Sequence, residues 1–387
     1  MSGALEGVLV ADFTRVLAGP YATMLMADAG ATVVKVERPG AGDDTRAWGP
    51  PFAPDGQSTY FQSVNRNKKS IALDLTDSGD LALARRLAQK ADVLIENYKP
   101  GGLRRFGLDY PSVATDNPAV VYCSISGFGS DLGKDLPGYD LLVQAMGGLM
   151  SVTGIQEPTK AGVAVVDVLT GLHAAFAVTA ALTHRERTGR GQRIEVSLLS
   201  SLLSSLVNQS SAYVGAGTVP TLMGNAHPSI APYEVFATAD RPMIIAVGND
   251  GQFTKLVGVL GDEALADDVR YATNADRVRN RVALKTALES RLAAGGADHW
   301  QAALTAAGVP CGPINDVRQG FELASRLGLN PVVNIDDPRR AEPLPQVANP
   351  VHFSATPAVY RSAPPKVGED RDEVIAMLRG NSEPLNT

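Results

Sequence analysis

The first 37 residues alternate between two apolar strands and one helical segment, and this pattern restricts the fold more than any other feature of the chain. Residues 7–13 are typical of a short buried strand, Gly19 and Pro20 open a helical segment, and Thr32–Glu37 is typical of a second strand. Two neighbouring strands that are connected by a helix lie parallel to each other in the sheet. The sequence therefore predicts an α/β fold built on a parallel sheet.

Further apolar segments predict more strands of this sheet, and several of them end in polar or glycine-containing loops. Open α/β sheets bind ligands at the carboxyl ends of their strands, so these loops form the predicted ligand side. Cations in the loops fit either phosphate binding or solvated surface ion pairs, and the pattern leaves both open. The predicted strands are Ser70–Leu75, Val93–Glu96, Val120–Ser126 and Arg193–Val196, and the cations are Arg38, Lys68, Lys69 and Arg105.

The loop after the first strand does not favour a dinucleotide. Residues 15–20 lack the G-x-G-x-x-G pattern that lets a backbone approach a pyrophosphate. Glu37 ends the second strand, where dinucleotide folds place an acid that binds ribose, but the glycines are missing. NAD binding is therefore not predicted.

Asp167 stands where an apolar run, residues 163–166, meets a long helical segment that extends to about Thr188. Arg185, Arg187 and Gly189 are typical of a helix end. The unpaired N–H groups and the positive dipole end of a helix start favour an anion there. Aspartate is also a preferred N-cap residue, so this stretch alone favours a capping role, and a functional role requires support from elsewhere.

Composition excludes several classes of protein. The chain has 387 residues, which suffices for two or three domains, and its net charge of -6 argues against a nucleic-acid partner or an anionic membrane surface. Two cysteines cannot build a disulfide framework, and the five histidines lack metal-ligand spacing, so no metal site is predicted. No signal peptide and no membrane span are predicted, and a cytoplasmic location follows as the expectation.

Six segments in order along the chain resemble the class III CoA-transferase family, which contains formyl-CoA transferase and the carnitine CoA-transferases and is related to α-methylacyl-CoA racemase. Each segment alone is a weak signal, but the six together extend over nearly the entire chain. They are residues 5–20 (L-E-G-V-L-V-A-D-F-T-R-V-L-A-G-P), 33–43 (V-V-K-V-E-R-P-G-A-G-D), 65–75 (N-R-N-K-K-S-I-A-L-D-L), 92–101 (D-V-L-I-E-N-Y-K-P-G), 188–192 (T-G-R-G-Q) and 308–314 (G-V-P-C-G-P-I).

The resemblance implies a catalytic role for Asp167, because the family's aspartate immediately precedes the long helix. It implies transfer of CoA from an acyl-CoA donor to a carboxylate acceptor through an aspartyl-acyl anhydride and an aspartyl-CoA thioester. CoA and acyl-CoA are then substrates, and no tightly bound cofactor is expected. The family pattern assigns CoA contacts to Val16, Leu17, Ala18, Arg38, Leu73, Asn97, Tyr98, Arg105 and Tyr139.

A loop at Gly224, Asn225 and His227 falls where formyl-CoA transferase has a glycine-rich lid, although this chain lacks a run of glycines there. The resemblance implies substrate binding by this loop. His227 fits either a contact to an acyl carboxylate or an ordinary loop position.

The racemase branch of the family is the alternative function. Racemases of this group move an α-proton with a His–Asp pair whose histidine lies in a G-H-D motif, and this chain has Gly138-Tyr139-Asp140 instead. Tyrosine side chains ordinarily titrate near about pH 10, which is too high for two-base proton transfer at neutral pH. The transferase is therefore favoured.

The resemblance also predicts the domain organisation. A Rossmann-like large domain would contain residues 1–220 and be completed by the proline-rich tail, residues 327–387, while residues 221–326 would form a smaller α+β domain. An interlocked homodimer is implied.

Overall fold

The computed structural model describes residues 3–379 of the chain, and these divide into two compact units. The large unit contains residues 3–149, 161–218 and 330–379. The small unit contains residues 150–160 and 219–329. The chain therefore leaves the large unit twice, and the proline-rich tail belongs to the large unit.

A parallel sheet forms the centre of the large unit. Its strands are β1 (Leu9–Phe13), β2 (Thr32–Glu37), β3 (Lys68–Ala72), β4 (Val93–Glu96), β5 (Val121–Ser126) and β6 (Gln192–Ser197). They lie in the order β3-β2-β1-β4-β5-β6, and Val10 on β1 pairs with Val33 on β2 and Val93 on β4. The predicted α/β fold is confirmed. Because the strand order reverses between β1 and β4, the loops after these strands diverge and leave room for a ligand.

Helices cover both faces of this sheet. The helices of the large unit before the tail are α1 (Ala18–Asp28), α2 (Thr59–Gln62), α3 (Ser78–Lys90), α4 (Tyr110–Asp116), α5 (Asp140–Met146), α6 (Val165–Thr188), α7 (Leu198–Ser205) and α8 (Asn208–Ala216). Residues of α1, α5, α6 and α7 share one apolar core with the sheet, and residues of α3 and α4 share another on the opposite face. Each core excludes water from one side of the sheet, which accounts for the largely apolar sequences of the inner strands β1 and β4.

The helix after Asp167 starts earlier than the sequence predicts. It begins at Val165, so Asp167 lies inside its first turn, and the N-cap position belongs to Ala164. The hypothesis that Asp167 itself caps the helix is therefore wrong. The predicted end is confirmed, because Gly189 adopts a left-handed conformation with φ 69° directly after Thr188.

The helix predicted from Leu198 to about Tyr213 is two helices, α7 and α8. Val207, which lies between them, has φ 43°, a value that no helical residue adopts. Propensity alone did not reveal this break, because the flanking serines and leucines are compatible with one continuous helix.

Helix α6 is long and apolar enough to cross a membrane by length and composition alone, which the sequence prediction overlooked. A helix that packs in a protein core has the same composition. Val166, Ala174 and Val178 on one side of α6 are buried in the core that it shares with the sheet. The absence of a membrane span stays a prediction.

The small unit has its own sheet and core. Strands β7 (Tyr233–Phe236), β8 (Met243–Ala246) and β9 (Cys311–Pro313) form an antiparallel sheet, and Phe236, Leu288 and Trp300 are among the buried side chains packed around it. The mixed composition predicted for this region is confirmed. Its helices are α9 (Asp250–Val259), α10 (Ala264–Asp267), α11 (Asn274–Arg279), α12 (Arg281–Leu292), α13 (Ala297–Ala306) and α14 (Val317–Arg326).

The tail forms the hairpin β10 (Val332–Ile335) and β11 (Leu344–Val347) and the helix α15 (Arg371–Arg379). It is tied to the outer strand β3 by polar contacts: the Ser70 N–H donates to Asp370 at 2.8 Å, and the Arg371 guanidinium donates to the Ala72 carbonyl at 2.7 Å. These contacts cover the exposed edge of the sheet, which is a common protection against pairing with other chains.

Candidate active site

Asp140 supplies the cap that the start of α6 lacks. Its Oδ1 accepts the N–H of Val166 at 2.8 Å and that of Asp167 at 3.2 Å, although it lies 26 residues before Val166. Its Oδ2 accepts a bond from Gln144 at 2.6 Å, and the Gln144 Oε1 accepts the Ala161 N–H at 2.9 Å. Side chains of α5 therefore fix the backbone that carries Asp167.

The Asp167 carboxyl is held in an environment that disfavours its charge. Burial, and to a smaller extent the neighbouring charge of Asp140, raise the pKa of Asp167 to about 7 from an ordinary 3.8. A carboxylate of this kind is poorly solvated and more basic than usual, while remaining largely ionised above neutral pH. Such perturbed carboxyl groups in clefts are typical of catalytic sites.

Gly171 brings α6 against the start of α1. A Cβ atom at this position would lie 2.6 Å from the Ala18 carbonyl oxygen and 3.2 Å from the Tyr21 ring. Only glycine fits such an approach, and Asp167 precedes Gly171 by about one helical turn. The close crossing therefore places Asp167 beside the loop that enters α1.

A cavity of about 400 Å³ lies where these elements meet, and we call it the Asp167 cavity. It opens at the carboxyl ends of β1, β4 and β5, the edge predicted for ligands. Its lining includes Asp167, Leu198 and residues of four loops, one each after β1, β2, β4 and β5. The residues of these loops are Arg15, Val16, Leu17, Ala18, Asp44, Asn97, Tyr98, Lys99, Pro100, Ile125, Ser126, Gly127, Lys134, Asp135, Leu136, Pro137, Gly138 and Tyr139.

The sequence profile of CoA-transferase family III matches residues 5–371. The chain belongs to this family. It is 44% identical to the succinate–glutarate CoA-transferase of Agrobacterium fabrum, over 97% of this chain and 95% of that protein. It is 42% identical to the acetyl-CoA:oxalate CoA-transferase of Acetobacter aceti, over 86% of each chain. The crystal structure of a CAIB/BAIF family protein from Brucella suis superimposes with a TM-score of 0.86 at 43% identity, covering 98% of this chain and 100% of that one.

The protein is thus a family III CoA-transferase, and the predicted family is confirmed. Six of the nine residues assigned to CoA line the Asp167 cavity together with the aspartate: Val16, Leu17, Ala18, Asn97, Tyr98 and Tyr139. Their contact with CoA stays a prediction. The structure does place them around one volume, as a shared ligand requires.

The other three residues assigned to CoA lie outside the cavity lining. Arg38 is exposed and pairs with Asp44 at 2.5 Å, and Asp44 itself reaches the cavity. The Arg105 guanidinium lies over the Phe106 ring, 4.5 Å from its centroid. Leu73 is buried in the core beneath α3. A long substrate that extends beyond the cavity can still reach the two arginines, whereas Leu73 has no open surface.

Lys68 fits neither alternative drawn for the loop cations. It is fully buried, pairs with Asp12 at 3.2 Å and donates to the Asn65 side chain at 2.9 Å. Burial lowers the pKa of Lys68 to about 8, against the opposing effect of Asp12. Lys69 pairs with Glu373 of the tail at 2.6 Å. In this CoA-transferase Lys68 has a buried structural role, whereas the partly exposed pair of Lys69 fits the predicted alternative of a surface ion pair.

Tyr60 is a site residue that the sequence analysis missed. Burial, and then the charges of Asp167 and Asp140, raise the pKa of Tyr60 to about 12. The Tyr60 ring lies edge-on to Trp48 with centroids 5.2 Å apart. Both aromatics come from the connection between β2 and β3, a long loop that contains Trp48 and, with Tyr60, the short helix α2. The isolated aromatic residues of that loop gave no pattern from which proximity to Asp167 follows.

The predicted loop at Gly224, Asn225 and His227 lies in the small unit. Gly224 has φ 60° and donates to the Gly154 carbonyl at 3.0 Å. The His227 Nδ1 accepts the Ser229 N–H at 3.1 Å, and its ring lies edge-on to Tyr233. These contacts order the loop internally, and its role in substrate binding stays a prediction.

Proposed function

We propose that this CoA-transferase moves CoA between carboxylic acids through covalent intermediates on Asp167. The observation that carries the proposal is a carboxyl of raised pKa, held in the first turn of a helix, that lines the same cavity as the strand-end loops. A desolvated carboxylate is a stronger nucleophile than a solvated one. The cavity also gives a thioester a place to meet it.

Four exchanges complete the reaction. The Asp167 carboxylate attacks the thioester carbonyl of the donor, which forms an aspartyl-acyl anhydride and releases the CoA thiolate. The thiolate attacks the aspartyl carbonyl, which forms an aspartyl-CoA thioester and releases the donor acid. The acceptor carboxylate then attacks the aspartyl-CoA thioester, which gives a second anhydride and the thiolate. Attack of the thiolate on the acceptor carbonyl of that anhydride yields the new acyl-CoA and restores Asp167.

Several properties of the site support this route. Asp167 lies in the first turn of α6, and the positive dipole end of a helix favours the oxyanions that form in each exchange. Asp140 holds that turn in place, and its negative charge contributes to the raised pKa of Asp167. A bound acyl-CoA would displace water from the cavity and so preserve the anhydride for the thiolate.

Small dicarboxylic acids are the proposed acyl groups. Relatives of this chain carry the names succinate–glutarate, acetyl-CoA:oxalate and succinyl-CoA:mesaconate CoA-transferase. Oxalate, succinate and glutarate differ only in the length of the chain between two carboxyl groups. The cavity of about 400 Å³ matches a pantetheine end plus an acid of this size.

A homodimer in the cytoplasm is also proposed. Leu172 and Phe176 of α6 are 44% and 74% exposed, and such side chains on a long helix favour burial against another surface. A second copy of the chain is the partner that the family resemblance implies.

The experiment that tests the function combines a donor–acceptor screen with trapping. Acyl-CoA thioesters of C2 to C5 acids are mixed with a panel of carboxylates, and new thioesters are detected by mass spectrometry. Hydroxylamine added with donor alone must convert Asp167 to its hydroxamate, identified in the peptide that contains residues 161–185. Transfer without a hydroxamate contradicts the covalent route. Exchange of an α-proton for deuterium without any acceptor indicates the racemase instead.

The pH dependence of transfer follows from the raised pKa. Only the ionised carboxyl attacks a thioester, so we expect kcat/KM to rise with pH and to level off above about pH 7. In the Asp140→Asn variant the amide oxygen still accepts the two N–H groups of α6, but the neighbouring charge is gone. The rising limb should then move to lower pH. A limb that stays in place, or moves upward, contradicts the assignment of this ionisation to Asp167.

A further inference from the structure

Val16 adopts a backbone conformation that its side chain disfavours. Its φ is 71°, in the left-handed region, where a β-branched residue is strained. The residue lies between β1 and α1 and lines the Asp167 cavity. Such strain persists only where contacts with the surrounding structure hold the backbone in place.

Side chains from three separate elements hold the loop. The Asn97 amide, after β4, accepts the Arg15 N–H at 2.9 Å and donates to the Arg15 carbonyl at 2.8 Å. The Asp43 carboxylate, after β2, accepts the Val16 N–H, and each of its two oxygens lies 3.3 Å from the Val16 nitrogen. Lys35 on β2 donates to the Thr14 carbonyl at 2.9 Å. Consecutive backbone groups of residues 14–16 are therefore fixed from different directions.

Lys35 and Asp43 also form an ion pair of 2.8 Å, and both side chains are fully buried. Burial disfavours both charges, but the attraction between the two groups outweighs it. The pKa of Asp43 is lowered to about 2 by Lys35, and the pKa of Lys35 is raised by nearby carboxylates, mainly Asp43. Asp43 additionally accepts the Thr45 hydroxyl at 2.8 Å. Both groups are charged at neutral pH and neither has room to turn away from the loop.

We propose that Lys35 and Asp43 are positioning residues that hold Val16 in its strained conformation and thereby fix one wall of the Asp167 cavity. The inference rests on the proposed transferase function and adds to it a buried pair that does not itself line the cavity. Loosening this wall displaces the thioester relative to Asp167. It also admits water to the covalent intermediates, so transfer becomes slower and a larger share of the intermediates is hydrolysed.

The test uses Asp43→Ala alone and combined with Val16→Gly. We expect kcat for transfer to fall about 10- to 100-fold in Asp43→Ala, because small misplacements of reacting groups have effects of this size. The ratio of hydrolysis to transfer should rise in parallel. Glycine adopts the left-handed conformation without strain, so the double variant should recover to within about threefold of Val16→Gly alone. If Lys35 and Asp43 only stabilised the fold, Val16→Gly would not restore activity, because Lys35 would still be buried without its partner in the double variant.

Thr45→Val is the matched control. It removes the hydroxyl bond to the same carboxylate but leaves the bonds of Asp43 to Lys35 and Val16, and kcat should stay within about threefold of the wild type. If Asp43→Ala does not fold, Asp43→Ser replaces it in each arm, because the shorter serine side chain does not reach the Val16 N–H or Lys35. Transfer that Asp43→Ala leaves unchanged, or a double variant no faster than Asp43→Ala, overturns the proposal.

Hydrogen exchange separates this proposal from the proposed function. The Val16 amide should exchange at least about tenfold faster in Asp43→Ala than in the wild type, and Thr45→Val should not change it. This result holds whether or not the wild type transfers CoA. A wild type without transfer activity contradicts the function, whereas unchanged exchange contradicts the role of Asp43.

Discussion

Replacing Asp167 with asparagine will lower CoA transfer by about 10⁴-fold or more while the chain keeps its fold. The amide has nearly the shape of the carboxyl but is no nucleophile toward a thioester, so neither the anhydride nor the aspartyl-CoA thioester can form. The measurement is initial-rate transfer from an acyl-CoA to a carboxylate, with far-ultraviolet circular dichroism as the check of folding. A variant that retains more than about one tenth of the wild-type rate contradicts the covalent role.

The same substitution should stabilise the protein at alkaline pH. The native state binds the Asp167 proton more tightly than the unfolded chain does, because the pKa is about 7 in the fold and 3.8 ordinarily. Ionisation therefore destabilises the native wild type progressively as pH rises from about 4 to about 7, and the effect is complete above pH 7. Asparagine avoids it, so urea unfolding at pH 8 should show the variant more stable by about 2–4 kcal/mol.

Two further results define the test of stability. The difference between wild type and variant should shrink as pH falls through 7 and be small near pH 4, where both side chains are uncharged. Asp167→Ala should show the same trend with pH, offset by the loss of side-chain contacts. Equal pH dependence of wild type and Asp167→Asn would contradict the raised pKa.

Local sequence was enough to predict the framework that carries Asp167. Strands β1, β2, β4 and β5 are apolar runs bounded by glycine, proline or polar residues, and their period and punctuation are local properties. The end of α6 was predicted for the same reason, since Gly189 and the basic residues before it act within one helical turn. The position of Asp167 near the start of that helix followed from the apolar run before it and the helical segment after it.

Contacts between residues that are far apart in the sequence could not be predicted from local sequence. Asp140 caps α6 from another helix, and the influence of Asp167 on Tyr60 links residues more than 100 positions apart. The cations of the strand-end loops show the same limit: Lys68 is buried only because Asp12 and Asn65 converge on it. A polar pattern records that a residue is charged, but its partner is set by the tertiary fold.

The strained turn at Val16 illustrates a different limit. Valine is among the residues least expected at positive φ, so propensity predicts an extended conformation there. The resemblance to the family assigned Val16 to CoA without giving its conformation. The conformation follows from the bonds that Asn97 and Asp43 make to the loop, and these side chains come from the ends of other strands.

The second large effect is expected from Gly171→Ala. Alanine is the better helix former by about 1 kcal/mol, so helix propensity alone predicts a more stable protein. The new Cβ would, however, lie 2.6 Å from the Ala18 carbonyl oxygen, and neither backbone can yield without separating α6 from α1. We expect the steric term to prevail and the free energy of unfolding to fall by about 1–3 kcal/mol, measured by urea denaturation.

Gly320→Ala provides the matched control, because Gly320 lies in α14 and a Cβ there would meet no atom within 4 Å. Helix propensity is then the only term, and this variant should gain up to about 1 kcal/mol. Gly171→Ala should in addition slow transfer about 10- to 100-fold, because separation of α6 from α1 moves Asp167 away from the loop that faces the thioester. If both glycine variants gain stability equally and both keep full activity, the close crossing of α1 and α6 does not position the carboxyl.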